Sequence, residues 1–426
     1  MNVPYHKRTL PNGLDVIVHE DRRVPLVAVS IWYHVGSKNE RPGKTGFAHL
    51  FEHLMFEGSA HQPKSYFEPL QQAGGTLNGS TSTDRTDYWE VVPKEATRLA
   101  LWMEADRMGW LLPALTAERF ETQRGVVLNE RRQSYENRPY GLAQFVIARA
   151  LFPEGHPYSW PTIGETDDLH AASVDDARAF FETYYHPANA SLVIAGDVEP
   201  DEAFAMAEGL FGEIPRGPAV APVNAPPTPA RADRLVLEDR VDLPRLYMAW
   251  PSPPLFAPGD AELDLAADLF ANGRTSRLYR KLIYDRRLAT ELVAAQSSRE
   301  LVSTFQVVAT AAPGQSLETV HAAIVEEIHR LRESGPDADE LERGRAQAEA
   351  AFVYRLQSLG GFGGKADQLN TYNVYQGRPD GFDADLARYL DATPATVRDA
   401  FAKWIDPAEA IILSVVPDGR RADALT

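Results

Sequence analysis

Apolar residues fall along this chain in short blocks of two kinds. Leu14 to His19 and Val27 to His34 are runs rich in β-branched and aromatic side chains, which predict strands, with a hairpin around Pro11-Asn12-Gly13 and its neighbours. Leu235 to Leu237 and Leu246 to Trp250 predict strands that open a second half in the same way. Arg98 to Trp110, Val320 to Arg332 and Ala338 to Gln357 carry helical spacing, the last with little Gly or Pro to interrupt it. Each half therefore predicts a sheet backed by helices.

An internal repeat supports two copies of one α/β unit. Residues 177 to 194 match residues 397 to 414, pairing Arg178 with Arg398, Phe181 with Phe401, Pro187 with Pro407, Ala188 with Ala408 and Ala190 with Ala410. Each copy predicts a helix, a turn at Pro-Ala and a buried strand. Between the copies, Gly212 to Arg234 holds Pro215, Pro218, Pro222, Pro226, Pro227 and Pro229, a composition that predicts a semi-extended linker. The expected division is residues 1–212, a linker over 213–234, and residues 235–426.

Composition narrows the function. At 426 residues and 44% hydrophobic, the chain can form two or three domains with full cores. A net charge of −17 argues against nucleic acid, whose phosphates require clustered Lys and Arg. That charge either lines a cavity that attracts basic peptides or forms a solvated acidic surface. With no cysteine, there are no disulfides or thiolate ligands, and any metal is held by His, Asp or Glu. No stretch approaches the roughly 18 apolar residues of a membrane span, and no apolar leader region follows the first eight residues. The expectation is a cytoplasmic protein without a membrane span, or a periplasmic one if a signal peptide has been removed.

The chemistry gathers at His49-Leu50-Phe51-Glu52-His53. Two histidines four apart on a helix project from one face a turn apart, so both imidazoles can reach one ion. Glu52, three residues after His49, lies beside the metal and is suited to act on a zinc-bound water as general base, the role its place in an H-x-x-E-H order carries. Gly360-Gly361-Phe362-Gly363-Gly364-Lys365 lacks the spacing of a phosphate loop, because Leu359 stands where a glycine is needed and Ala366 follows the lysine. It predicts a hinge or a helix break. His156 and His186 lie beside prolines without ligand spacing and are expected to be structural or surface residues.

Beyond this motif the chain resembles the pitrilysin-like (M16) peptidases, which include insulin-degrading enzymes and mitochondrial processing peptidase, and within them the M16B type. The resemblance runs nearly end to end. Between His53 and Glu130 lie 76 residues, the family's spacing to its third ligand, and Gly125 to Glu130 is similar to the family's ligand helix. Phe56-Glu57-Gly58-Ser59 matches too, and Gly74 to Thr81 resembles its substrate-binding edge strand. The resemblance implies an α+β chain of two homologous sheet-plus-helices domains, the LuxS/MPP-like metallohydrolase type, forming half of a clamshell. It also implies one Zn2+ per chain on His49, His53 and Glu130, leaving a fourth position for water, with Glu52 catalytic and peptides as substrates. Asn78, Gly79, Ser80 and Thr81 are the expected substrate-binding residues, paired to an extended peptide by β-augmentation. Asn78 is expected either to contact the peptide backbone or to serve as a turn residue before Gly79.

Three departures from the family pattern carry consequences. Gln123 stands where relatives have a second glutamate seven residues before the ligand. It is either an amide partner of a ligand imidazole or an exposed helix residue. In the second half, Asp264, Ala267 and Asp268 oppose His49, Glu52 and His53, so that half cannot host the site. The family's arginine and tyrosine near the scissile bond fall at Ile283 and Thr290, after a helix start at Gly273 to Tyr279, with Arg286 and Arg287 as nearby substitutes. The resemblance then implies the zinc-bearing subunit of a hetero-oligomer whose homologous partner supplies the Arg/Tyr pair. A self-sufficient homodimeric peptidase and a non-catalytic architectural homologue are the alternatives.

Overall fold

A computed structural model describes residues 3–229 and 231–425. The chain divides into two compact units. The first comprises Met1–Glu130, Trp160–Asn224 and Phe352–Asp383; the second comprises Arg131–Ser159, Ala225–Ala351 and Ala384–Thr426.

In the first unit, β1 (His6–Thr9), β2 (Asp15–Glu20), β3 (Leu26–Tyr33), β4 (Thr76–Thr81), β5 (Thr86–Pro93) and β6 (Ala190–Gly196) form a six-stranded sheet of order β1-β2-β6-β3-β5-β4. The Pro11-Asn12-Gly13 hairpin joins β1 to β2, with Gly13 at φ +91° and the Gly13 N–H bonded to Leu10 O at 2.8 Å. β2 and β3 do not pair, because β6 lies between them, parallel to β2 and antiparallel to β3. In the second unit, β7 (Asp233–Asp239), β8 (Arg245–Ser252), β9 (Ala289–Ser297), β10 (Ser303–Ala311) and β11 (Ile411–Pro417) take the order β7-β11-β8-β10-β9. β7 is parallel to β11, and the other pairs are antiparallel. The order repeats β2-β6-β3-β5-β4 strand for strand.

The repeated segments adopt matching structures: helix Val174–Tyr184, a 3₁₀ turn and β6 in one unit, helix Pro394–Trp404, a 3₁₀ turn and β11 in the other. Helices form at Thr97–Trp110, Leu317–Ser334 and Ala338–Gln357, as their periodicity predicts. The proline-rich stretch has no helix or strand over 215–229, and β7 starts at Asp233, just inside the expected linker.

Sequence order and compact units part company at two helices. Helix Lys365–Gln376, from the second half of the chain, packs on β3 and β6 of the first unit. Its Asp367 accepts from Trp32 Nε1 at 3.0 Å, and its Asn370 Nδ2 donates to Ser30 O at 3.1 Å. Reciprocally, Ala143, Ile147 and Leu151 of helix Ala143–Leu151 join Tyr247, Ala249, Leu413 and Val415 in the core of the second unit. The opposite face of that sheet packs Met248, Trp250 and Phe305 against Phe270, Ile324 and Phe401 of the repeat's own helices. The glycine-rich stretch is the break before helix Lys365–Gln376, with Gly361 and Gly363 at φ +83° and +76°. Its Lys365 pairs with Asp21 at 2.6 Å. His156 is buried and accepts from Tyr158 N, which makes it structural.

Candidate metal centre

The motif helix spans Phe47–Leu54 and buries Phe47, Ala48, Leu50, Phe51 and Leu54. Phe51 packs against Phe180 and Tyr185 with ring centroids 5.8 and 5.3 Å apart. This apolar side fixes the helix roll, and His49, Glu52 and His53 emerge on the remaining stripe. Glu130 stands one residue before the end of helix Ala117–Arg131. Glu130 Oε2 lies 3.7 Å from His49 Nε2 and 3.3 Å from His53 Nε2, and one ligand atom from each of the three lies within 4.8 Å of the others. Tetrahedral zinc with bonds near 2.1 Å sets its ligand atoms about 3.4 Å apart, so the observed spacing fits that ion.

Electrostatics favour the same use. Burial, reinforced by neighbouring His53 and opposed by Glu130, pulls the His49 pKa down to about 4 and keeps its imidazole neutral with a lone pair to offer. The hydrogen bond from His53 holds Glu130 below the usual carboxylate range. Burial raises Glu52, and a hydrogen bond from Thr81 works against that rise. Thr81 Oγ1 donates to Glu52 Oε2 at 2.7 Å. Nothing in the sequence reading identifies Thr81 as a partner of Glu52, because strand and helix are joined only through the fold.

The other expected residues divide. Gln123 is buried, but His49 Nδ1 has no hydrogen-bond partner among the described residues, so Gln123 does not support that imidazole. β4 is an edge strand with β5 as its one neighbour in the sheet. Along it, Ser80 donates to Asp87 at 2.6 Å, and Asn78 Oδ1 accepts from the N–H of Gly79 at 2.9 Å. Gly79 lies tight on Tyr88: a Cβ there would meet the ring at 2.9 Å. Of the four, Thr81 hydrogen-bonds Glu52. In the second half, helix Asp260–Ala271 carries Asp264, which accepts from Tyr389 OH at 2.7 Å, and Asp268, which accepts from Asn272 at 2.9 Å. Ile283 lies in a π-helical turn, Tyr279–Asp285, and packs on the core, while Thr290 is exposed on β9. Arg286 sits 3.5 Å from Glu326.

Two residues outside the motif complete the surroundings. Glu40 accepts from the N–H groups of Gly46 and Ala48 at 2.9 and 2.8 Å, capping the motif helix. Burial pushes its pKa up to about 8 against the pull of those bonds. Asp168 accepts from Thr45 N and Oγ1 at 3.1 and 2.7 Å. Glu40 lies six residues before the first N–H it caps, outside the usual capping-box spacing, so no local pattern announces it.

Known proteins resemble this chain along most of its length. The family model described as insulinase (peptidase family M16) matches residues 15–154, and the one described as the M16 inactive domain matches 171–348. A Helicobacter pylori protein named zinc protease PqqE is 28% identical over 389 residues, covering 89% of this chain and 86% of that protein. A protein named mitochondrial-processing peptidase subunit beta, from Blastocladiella emersonii, is 26% identical over 56% of this chain and 51% of its own length. The crystal structure of a Helicobacter pylori protease superposes with a TM-score of 0.90 at 25% identity, covering 97% of this chain and 99% of that one. A putative M16-like peptidase from Alicyclobacillus acidocaldarius shares the fold, with a TM-score of 0.79 over 98% of this chain and 100% of its own. With both halves matched in order by models of one family, the chain belongs to the M16 peptidases.

Proposed function

We propose that this chain is a zinc-dependent endopeptidase acting on short or unfolded peptides, with His49, His53 and Glu130 holding one ion and Glu52 moving the proton. The observation that carries this reading is the convergence of those three side chains on ligand spacing, with Glu52 alongside and tied to the edge strand through Thr81. Zinc, when bound, supplies Lewis-acid polarisation of the scissile carbonyl and of the attacking water. Glu52 takes a proton from that water and delivers it to the leaving amide nitrogen. Thr81 donates to the Glu52 carboxylate and favours the ionised form that accepts the proton. The outer edge of β4 receives the peptide in extended form, so main-chain bonds set affinity with little demand on side chains. The domain that does this is the first, residues 1–212; the homologous 235–426 lacks the ligands.

Partner dependence is part of the proposal. A half-buried Ile283 and an exposed Thr290 cannot supply the paired donors that stabilise an oxyanion, a loss of roughly a hundredfold or more in rate. A homologous M16B-type subunit carrying the Arg/Tyr pair would restore them, and one relative is itself named as a subunit. No helix among the described residues is long and apolar enough to cross a membrane.

The test is mass-spectrometric detection of cleavage of a mixed pool of unstructured peptides by the zinc-loaded chain, with Glu52→Gln as the blank. Cleavage that disappears in the blank establishes the peptidase and its self-sufficiency. Cleavage appearing only after a homologous subunit is added establishes the hetero-oligomer. Equal cleavage by the blank removes Glu52 from the mechanism.

A further inference from the structure

We propose that residues 36–40 form a bracket that sets the distance between the metal helix and the substrate strand, with Lys38 and Glu40 as its positioning residues. The inference rests on the peptidase reading for its functional meaning but on separate contacts for its geometry.

One end of the bracket grips the turn after β4. Ser37 N bonds Ser82 O at 3.2 Å, Lys38 N bonds Thr83 O at 2.9 Å, and Lys38 Nζ donates to Asp84 O at 2.7 Å. Gly36 passes so close that a Cβ would meet both Ser82 O and Thr83 O at 2.5 Å. The other end is the Glu40 carboxyl group on the N–H groups of Gly46 and Ala48. Between them Ser37–Asn39 is a single 3₁₀ turn, closed by Asn39 Oδ1 accepting from Gly36 N at 3.1 Å and anchored by Trp160 Nε1 on Ser37 O at 2.9 Å. Ala48 adjoins His49, and Ser82 adjoins Thr81. The circuit therefore closes through the Thr81–Glu52 hydrogen bond, and the bracket spans the gap that this bond must cross.

The energetics point to a fixed gap. An ammonium whose side chain is 3% exposed is costly to bury unless it is held, and here it holds the turn after β4, with Asp84 beside it at 3.9 Å. The Glu40 carboxyl, taking two of the orphan N–H groups at a helix start, fixes that end in both translation and roll. Neither residue is among the three candidate metal ligands or on β4, so each acts through what it holds.

Three variants of the full chain, Lys38→Met, Glu40→Ala and Glu40→Gln, test this, with folding checked by thermal melting. Zinc affinity is measured by competition with a chelator, and backbone exchange of residues 76–81 by mass spectrometry. Glu40→Ala is expected to weaken zinc about tenfold, the low end of what losing a direct partner of a metal ligand costs, because Glu40 acts on the ligand helix and not on a ligand. Glu40→Gln, which keeps one of two acceptors, is expected to fall between it and the wild type. Lys38→Met is expected to leave zinc affinity within twofold, speed exchange across 76–81 and raise KM for peptide with kcat little changed. The bracket is overturned if folded Glu40→Ala binds zinc like the wild type, or if Lys38→Met exchanges like the wild type. A wild type that binds zinc and cuts nothing, with or without a partner, defeats the peptidase reading alone, since affinity and exchange still decide the bracket.

Discussion

Thr81→Val isolates the contact between edge strand and proposed base. Valine keeps the shape and the strand preference of threonine and removes only the hydroxyl. The lost interaction is the 2.7 Å bond from Thr81 Oγ1 to Glu52 Oε2. A hydrogen bond to a charged group contributes about 1.5–3 kcal/mol, and the protonated carboxyl recovers part of that loss. A differential of about 1.4 kcal/mol corresponds to one pKa unit. Burial already raises the Glu52 pKa, and the Thr81 bond opposes it, so the variant's pKa moves further up. Glu52 must be ionised to accept a proton, which places activity on the alkaline side of its pKa. The acidic limb of kcat/KM is therefore expected to shift up by about one pH unit with the plateau nearly unchanged, a loss of about tenfold at a pH well down the limb. Bound zinc acts on Glu52 in both proteins and drops out of the difference. The assay is the pH profile of kcat/KM on a fluorogenic unstructured peptide, in whatever assembly is active, at matched zinc content. An unmoved limb, or an equal loss at every pH, refutes a role for Thr81 in setting the ionisation of Glu52.

Other perturbations separate metal, strand and fold. Glu52→Gln is expected to keep zinc, measured by metal analysis, while peptide turnover falls at least about a hundredfold, the low end of what positioned acid-base groups contribute. Gly79→Ala forces a Cβ to within 2.9 Å of the Tyr88 ring and 3.1 Å of Asp87 O, so β4 must shift. A loss of about 1–3 kcal/mol in denaturant stability is expected, with KM raised. Asp264 is half-buried, and loss of solvent around its carboxyl is the chief cause that raises its pKa to about 7 from 3.8. A raised carboxyl stabilises fully below its unfolded pKa and loses that contribution as pH climbs through its folded one. Asp264→Asn, which can still accept from Tyr389, should therefore gain on the wild type by about 1.4 kcal/mol per unit between roughly pH 4 and 7, and no further above it. Denaturant midpoints across pH measure this, and a pH-independent difference contradicts it.

What was legible in the sequence was what a single element carries. His49, Glu52 and His53 share one helix, so their spacing alone places them on one face, and Glu130 could be found only because the family spacing points to it. The repeat was legible for the same reason: each copy is a contiguous helix, turn and strand. Strand order was not. Leu14 to His19 and Val27 to His34 look like neighbours because they follow each other, yet β6, supplied about 170 residues later, separates them through a parallel pairing that no hairpin signal announces.

The exchange of helices between the halves was hidden for a different reason. Helix Lys365–Gln376 buries Asp367, Asn370 and Asn373, polar side chains whose partners Trp32, Ser30 and Ser191 lie in the first unit. A polar residue in a sequence reads as surface until its partner is known. Glu40 obeys the same rule, as a carboxylate in a loop whose value lies in the two amides it meets. The proposed chemistry was thus visible where the ligands are local, while the residues that hold it in position were visible only once distant polar groups had been brought together. Substitutions chosen from the motif alone would test zinc and the base and leave that support untouched, which is why Thr81, Lys38 and Glu40 discriminate between a site that merely contains its ligands and one that is held ready for a peptide.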